Sequence, residues 1–322
     1  MLNLKLGLCC ISLKLQEKGV KSSTMTKTRF FQLQRKDAEK TLADRTLNNI
    51  MTIHKTLELC ASKNWNYRIS SGVMPLSTLP ELNLSMKELY NYDKIKQEFD
   101  ICSDIITKNK IRCSTHPDQF VVTASSNPDT AKKSVNELIM HGEIMDMLGL
   151  PQSYNSPINI HMNCFKGSPL SDIADRFIDI YNTLPATVKS RLVLENEDKP
   201  NSWNVQQLYE HVYQRTGIPI TYDNLHHKCN PGKLNAKKAI KLAKSTWNKY
   251  IPLFHFSDSD KNSTNIRSHA DYPSSFADEY QSFDGELHLE LEFKAKDYAI
   301  EKFETDFELK KEFPLTNAVC ML

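Results

Sequence analysis

The chain has 322 residues, 40% hydrophobic and 25% charged, with a formal net charge of +2. That length fits two modest domains or one large α/β barrel, and the composition excludes a disordered or fibrous chain. No run approaches the ~18 apolar residues of a membrane helix. Eight cysteines without a Cys-x-x-Cys pair argue against a disulfide scaffold or a thiolate metal site, and the chain reads as reduced and intracellular.

The N-terminus MLNLKLGLCC reads as a first strand (4–10) and not as a signal peptide, because Lys5 and Lys14 interrupt it and no small-residue cleavage site follows. Residues 14–36 come next as a connecting loop. They hold Lys14, Lys18, Lys21, Lys27, Arg29, Arg35 and Lys36 against Glu17 alone, a local net charge of +6. A solvated loop and a phosphate-binding track both fit that charge run.

Helical and strand patterns then alternate: helix 43–64, strand 66–71, helix 86–109, strand 111–116, helix 131–148, strand 157–163, helix 171–182 and strand 191–197. Helix 204–215, strand 218–224, helix 234–248 and strand 251–257 follow. After them come a mostly irregular connection over 258–285, strand 286–293, helix 297–310 and a less regular tail after about residue 312. Short Ile/Val/Leu-rich runs separated by amphipathic stretches predict a parallel sheet, and eight of them close into a single (β/α)8 TIM barrel over 1–322. An open doubly wound sheet is the competitor, but GLCCIS lacks its Gly-rich first turn.

In a barrel all strand C-termini meet at one rim, where catalytic groups gather. There the sequence places His116, His161, Glu195, Asp223, His226, His255, His269 and Glu292, from six successive strand ends. Alone, each fits a satisfied core histidine or a loop acid; together they predict a multi-metal site. His54, His211 and His288 read as structural or surface residues, and His227 as an outer donor or loop residue. Asp223 and His226 are expected to serve different ions. Imidazole and carboxylate without thiolate suit Mn²⁺, Zn²⁺ or Fe²⁺. Glu195, central in strand order, is the natural bridging carboxylate. Ions about 3.5–4 Å apart stabilise both oxygens of an in-line displacement, which suits phosphodiester hydrolysis. The basic segment shares that rim, and Lys132, Lys133, Lys261 and Arg267 extend it, so a polyanionic substrate is expected.

The stretches YRISS (67–71), THPDQF (115–120), NIHMN (159–163), LVLENED (192–198) and WNV (203–205) occur in that order. YDNLHHKCNPG (222–232), FHFSDSD (254–260), SHADY (268–272) and LEFKAKD (291–297) follow them. In this order and spacing the chain resembles the UV damage endonucleases, relatives of endonuclease IV among the xylose isomerase-like barrels, from about Leu4 to about Ile300. The resemblance implies three divalent ions, Mn²⁺ foremost, on the eight residues named above, with Glu195, His116 and Glu292 at the reacting phosphate. It implies cleavage of damaged double-stranded DNA 5′ of a UV photoproduct or abasic site, with the damaged nucleotides flipped out. Gln119 and Phe120 fall where the family probes the duplex, Phe120 without the usual phenol. Lys14, Lys18, Lys21, Lys27 and Arg29 are the expected DNA-binding cations. Three positions depart from the family: Leu8, Leu79 and Leu253 stand where members carry Tyr, His and Lys. A monomer without a nucleotide cofactor or membrane partner is expected, cytoplasmic and nucleoid-associated in a bacterial or phage-infected cell. A sugar isomerase or epimerase on the same barrel, or a damage-binding protein that no longer cuts, are the other readings.

Overall fold

In the computed structural model, residues 2–163, 168–200 and 202–307 are described. The tail after about 312 and the last residues of the 297–310 helix lie outside them. Eight strands form one sheet: β1 Leu2–Cys9, β2 Asn66–Ile69, β3 Cys113–Thr115, β4 Ile158–His161, β5 Leu192–Glu195, β6 Ile220–Thr221, β7 Leu253–Phe256 and β8 Gly285–Leu291. Every pairing is parallel, in the order β6-β5-β4-β3-β2-β1-β8-β7. The two ends of that order meet at a parallel bridge between Asp223 and His255, which closes the barrel. Strands flanked on both faces become continuous apolar runs, and β5 is buried at every position.

The helices pack outside through stripes at helical spacing. Helix Leu170–Thr183 buries Ile173, Ala174, Phe177 and Tyr181. Helix Pro128–Met147 starts earlier than the 131 expected, because Asn127 accepts from the amides of Asp129 and Thr130 with Pro128 in the first turn. The 204–215 stretch is not one regular helix: a π-turn over Tyr209–Tyr213 separates Val205–Leu208 from Gln214–Thr216. The 258–285 connection is irregular apart from a single turn at Asp278–Gln281. Among the described residues no helix is long and apolar enough to cross a membrane.

The 14–36 segment is not the plain loop expected. It holds helices Leu13–Glu17 and Lys27–Gln32, and the long helix begins at Arg35 rather than 43, so Arg35 and Lys36 are helical. The cause is capping. Ser12 and Thr26 accept from amides three residues on. The buried Asp297 carboxylate also accepts from the amides of Leu13 and Lys14, which ties this segment to the last helix, Lys296–Asp306.

Candidate metal centre

Barrel geometry carries acids and imidazoles to one mouth. His161 and Glu195 are neighbours in register across β4 and β5. Asp223 ends the β6 ladder and caps the helix Asn224–Cys229, its Oδ1 accepting from the His226 amide at 2.7 Å. The cap turns the chain so that His226 comes back over the mouth. His255 lies within β7, and Glu292 follows β8, its amide donating to the Phe256 carbonyl at 2.8 Å.

Three groups of side chains each bring one nitrogen or oxygen per residue within 4.8 Å of the others: His116–His161–Glu195, Glu195–Asp223–His226, and Asp223–His255–Glu292. They share Glu195 and Asp223, so they form one chain of pockets. Seven of the eight expected ligands fall in these groups. The eighth, His269, sits beside them, with Nδ1 donating to the Glu292 carbonyl at 2.6 Å and lying 3.9 Å from Glu292 Oε2. Asp223 and His226 share a pocket, where separate ions were expected, and Asp223 also enters a second.

Glu195 is the hub. His116 Nε2 lies 3.1 Å from its Oε2, His255 Nδ1 3.1 Å from the same oxygen, and His226 Nδ1 3.0 Å from Oε1. The residues fit divalent cations. Glu195, Asp223 and Glu290 are buried and Glu292 nearly so, yet Arg68 is the guanidinium that reaches Glu290 and Glu292. Buried carboxylates that outnumber their counter-charges cost several kcal/mol each unless cations balance them. Asp223 Oδ2, Glu195 Oε1, His161 Nδ1 and His255 Nδ1 are buried and accept or donate no aligned hydrogen bond, although two of them have close neighbours. Lone pairs converging without hydrogen-bond alignment are the arrangement of ligands around an ion.

The electrostatics follow. Burial pushes His161 down to about 4, so it is a neutral imidazole near pH 7. Burial works against the charged forms of His226 and His255, but Asp223 and Glu195 hold the first, and Glu195 and Glu292 the second, well above the usual range. There a proton does what a divalent ion would do. Burial would raise Glu195 and Glu292, yet His255 with His161, and Arg68 with His255, hold them well below the usual carboxylate range. Burial raises Asp223, with the charges of Glu195 and Glu292 adding to it.

Above the cluster opens a cavity of about 630 Å³, lined by Arg68, His116, Gln119, Phe120, His161 and Glu195 among others. Phe120 is 78% exposed on the loop after β3, and Gln119 is exposed beside it. Of the basic segment, Lys18, Lys21 and Arg29 are exposed. Lys14 is paired with Glu301 and lies over the Tyr298 ring, and Lys27 is paired with Glu81, so both are already engaged within the chain. Leu253 is buried and shares the face of β7 that carries His255.

Sequence reasoning passed over Arg68, Asn159 and Glu290. Arg68 donates to Glu292, and Asn159 donates to Glu195 Oε2. Glu290 could have been found by alternation, since His288 and Glu290 share one face of β8 at period 2 and Glu292 continues it just past the strand's end. His288 belongs to the opposite end of the barrel, where Arg112 Nη1 lies 3.2 Å from its Nδ1. His227 is buried against Tyr222, with ring centroids 5.5 Å apart, and lies in none of the three groups.

Eight parallel strands with imidazoles and carboxylates gathered at their C-terminal ends define a xylose isomerase-like barrel with a candidate polynuclear metal centre. A family model described as UV-endonuclease UvdE matches residues 4–321. The chain belongs to this family, and its chemistry is of the DNA endonuclease class. It is 29% identical over 303 residues to the UV DNA damage endonuclease of Nostoc sp., covering 92% of this chain and 88% of that protein. It is 29% identical over 254 residues to the UV DNA damage endonuclease of Bacillus cereus, covering 78% and 76%. Among solved structures, SacUVDE superposes with a TM-score of 0.80 at 26% identity, over 95% of this chain and 99% of that one. Endonuclease IV from Thermus thermophilus shares the fold, with a TM-score of 0.55 at 16% identity over 80% and 94%.

Proposed function

We propose that the chain is a divalent-metal-dependent DNA repair endonuclease, working on the chromosome in the cytoplasm. It would hydrolyse the phosphodiester 5′ of UV photoproducts or abasic sites. The observation that carries this reading is the run of three His/carboxylate pockets sharing Glu195 and Asp223 at the mouth of a UvdE-family barrel. His116, His161, Glu195, Asp223, His226, His255, His269 and Glu292 would hold the ions, Mn²⁺ foremost and three in number, with Zn²⁺ or Fe²⁺ as the other cations that suit these donors. Bound there, such ions would supply Lewis acidity to phosphate oxygens and acidify water.

The chain's own groups would do the rest. Glu195 sets Oε2 beside His116 and Oε1 beside His226 and is fixed by Asn159. His116 stands at the cavity floor with Nδ1 turned 3.0 Å from the Pro117 carbonyl, which leaves Nε2 facing the cluster. Glu292 is held by Arg68. Phe120 and Gln119, exposed at the cavity edge, would enter the duplex opposite flipped nucleotides, and Lys18, Lys21 and Arg29 would meet phosphates.

The test is incubation of the protein with lesion-bearing duplex and Mn²⁺, read by denaturing electrophoresis. Nicking on the 5′ side is expected, and Glu195→Gln should lose bound metal and at least ~100-fold in rate while staying folded, since even outer-shell changes cost 10–100-fold. Tight lesion binding without cleavage under Mn²⁺, Zn²⁺ or Fe²⁺ would instead make it a damage-binding protein.

A further inference from the structure

Glu290 plays no part in the proposed chemistry, yet it is buried inside the barrel beside His255. We propose that Glu290, held by Arg68 and Ser114, is a positioning residue that presents Nδ1 of His255 to the metal cluster. This inference rests on the metal-centre reading above.

A histidine binds an ion through one ring nitrogen while the other keeps its proton, and a carboxylate facing one nitrogen decides which. His255 is sealed from solvent. Its Nδ1 lies 3.1 Å from Glu195 Oε2 and 3.2 Å from Glu292 Oε1, which is the cluster side. Its Nε2 lies 3.3 Å from Glu290 Oε2, on the side away from the cluster, a close approach without hydrogen-bond alignment that a small turn of the Glu290 carboxylate would complete. Glu290 therefore stands where it would hold the proton on Nε2 and leave the Nδ1 lone pair free for a cation.

Glu290 is itself fixed. Ser114 Oγ donates to its Oε1, and Arg68 Nη1 lies 3.6 Å from its Oε2. The same Arg68 nitrogen donates to Glu292, so one guanidinium ties the outer acid to an inner one. The neighbouring strand also makes room. Gly7 is the register partner of Glu290, and a Cβ at Gly7 would come within 3.1 Å of Glu290 Cγ. A side chain there would press on the carboxylate that faces His255.

The experiment strips the full-length protein with chelator. It then titrates Mn²⁺ by the electron paramagnetic resonance signal of the free ion, alongside thermal unfolding of the metal-free protein. Glu290→Gln keeps the shape but loses the charge. It is expected to weaken one class of Mn²⁺ sites about 10–100-fold and leave the others as in wild type. Gly7→Ala should weaken the same class to a lesser degree. Wild-type Mn²⁺ affinity at every site in Glu290→Gln would overturn the proposal and leave Glu290 as a partner of Arg68 only. Should Glu290→Gln fail to fold, Ser114→Ala removes one donor with little change in volume. It should shift the same class in the same direction, and unchanged affinity there would also overturn the proposal. A wild-type protein that takes up no Mn²⁺, Zn²⁺ or Fe²⁺ would overturn the metal-centre reading itself, a failure distinct from that of Glu290.

Discussion

Asp223 and His255 form the backbone bridge that closes the barrel, and both side chains belong to one candidate ion pocket with Glu292. The seam is thin: β6 is two residues long, and beyond it the His255 amide donates to the Tyr222 carbonyl at 3.0 Å. A cation held by Asp223 and His255 would clamp the last join of the sheet. Binding to the folded state alone adds about 2.7 kcal/mol at an ion concentration of 100 times Kd. For a chain of 322 residues that is about 4 °C in Tm. Differential scanning calorimetry of metal-free protein with and without Mn²⁺ should show this rise. Asp223→Asn should lose most of it, and an identical rise in that variant would remove Asp223 from the ligand set.

The sequence made the barrel legible because most strands are short apolar runs set off by an amphipathic stretch, and the rim residues fell at the ends of those runs. The outer layer was harder to read. Glu290 and Arg68 look like ordinary strand residues until the register sets Glu290 beside His255 and Gly7. The basic segment misled for a related reason. Its charge suggested one open loop, but the Asp297 carboxylate that caps its first helix lies 284 residues away from Leu13. Local sequence carries no trace of such a partner.

The cations of that segment should therefore separate into two kinds. Lys18, Lys21 and Arg29 are exposed, whereas Lys14 bridges to Glu301. In fluorescence anisotropy with duplex DNA at several salt concentrations, alanine at Lys18, Lys21 or Arg29 should each lower the log–log salt slope by about 1 and weaken all sequences alike. Lys14→Ala should leave that slope unchanged and cost at most about 1 kcal/mol of stability.

Phe120 offers a bare ring at the cavity edge. Stacking of an aromatic side chain on a base contributes about 1–3 kcal/mol. Phe120→Ala should therefore weaken binding to lesion duplex about 5–150-fold, with a much smaller effect on undamaged duplex. Equal weakening of both in competition binding would show that the ring only packs against the protein.

At the far end of the barrel, His288 gives the fold a pH dependence separate from the metal centre. Burial, with Arg112 and Lys5 adding to it, pushes its imidazole down to about 2, and Arg112 Nη1 points at its Nδ1 lone pair from 3.2 Å. Glu286 lies 3.5 Å from Nε2 but is half exposed, so the two cations outweigh it. A histidine has a pKa near 6.5 in the unfolded chain. Its folded value is depressed, so its contribution to stability is complete above pH 6.5 and is lost as pH falls from there toward 2. Between pH 6.5 and 5 that loss amounts to about 1.5–2 kcal/mol. His288→Asn keeps an oxygen that can accept from Arg112 and removes the titration. In urea unfolding of the metal-free protein at the two pH values, wild type should lose about 1.5–2 kcal/mol more than His288→Asn. Parallel losses would mean that His288 is protonated in the folded state and that Glu286, not Arg112, sets its charge.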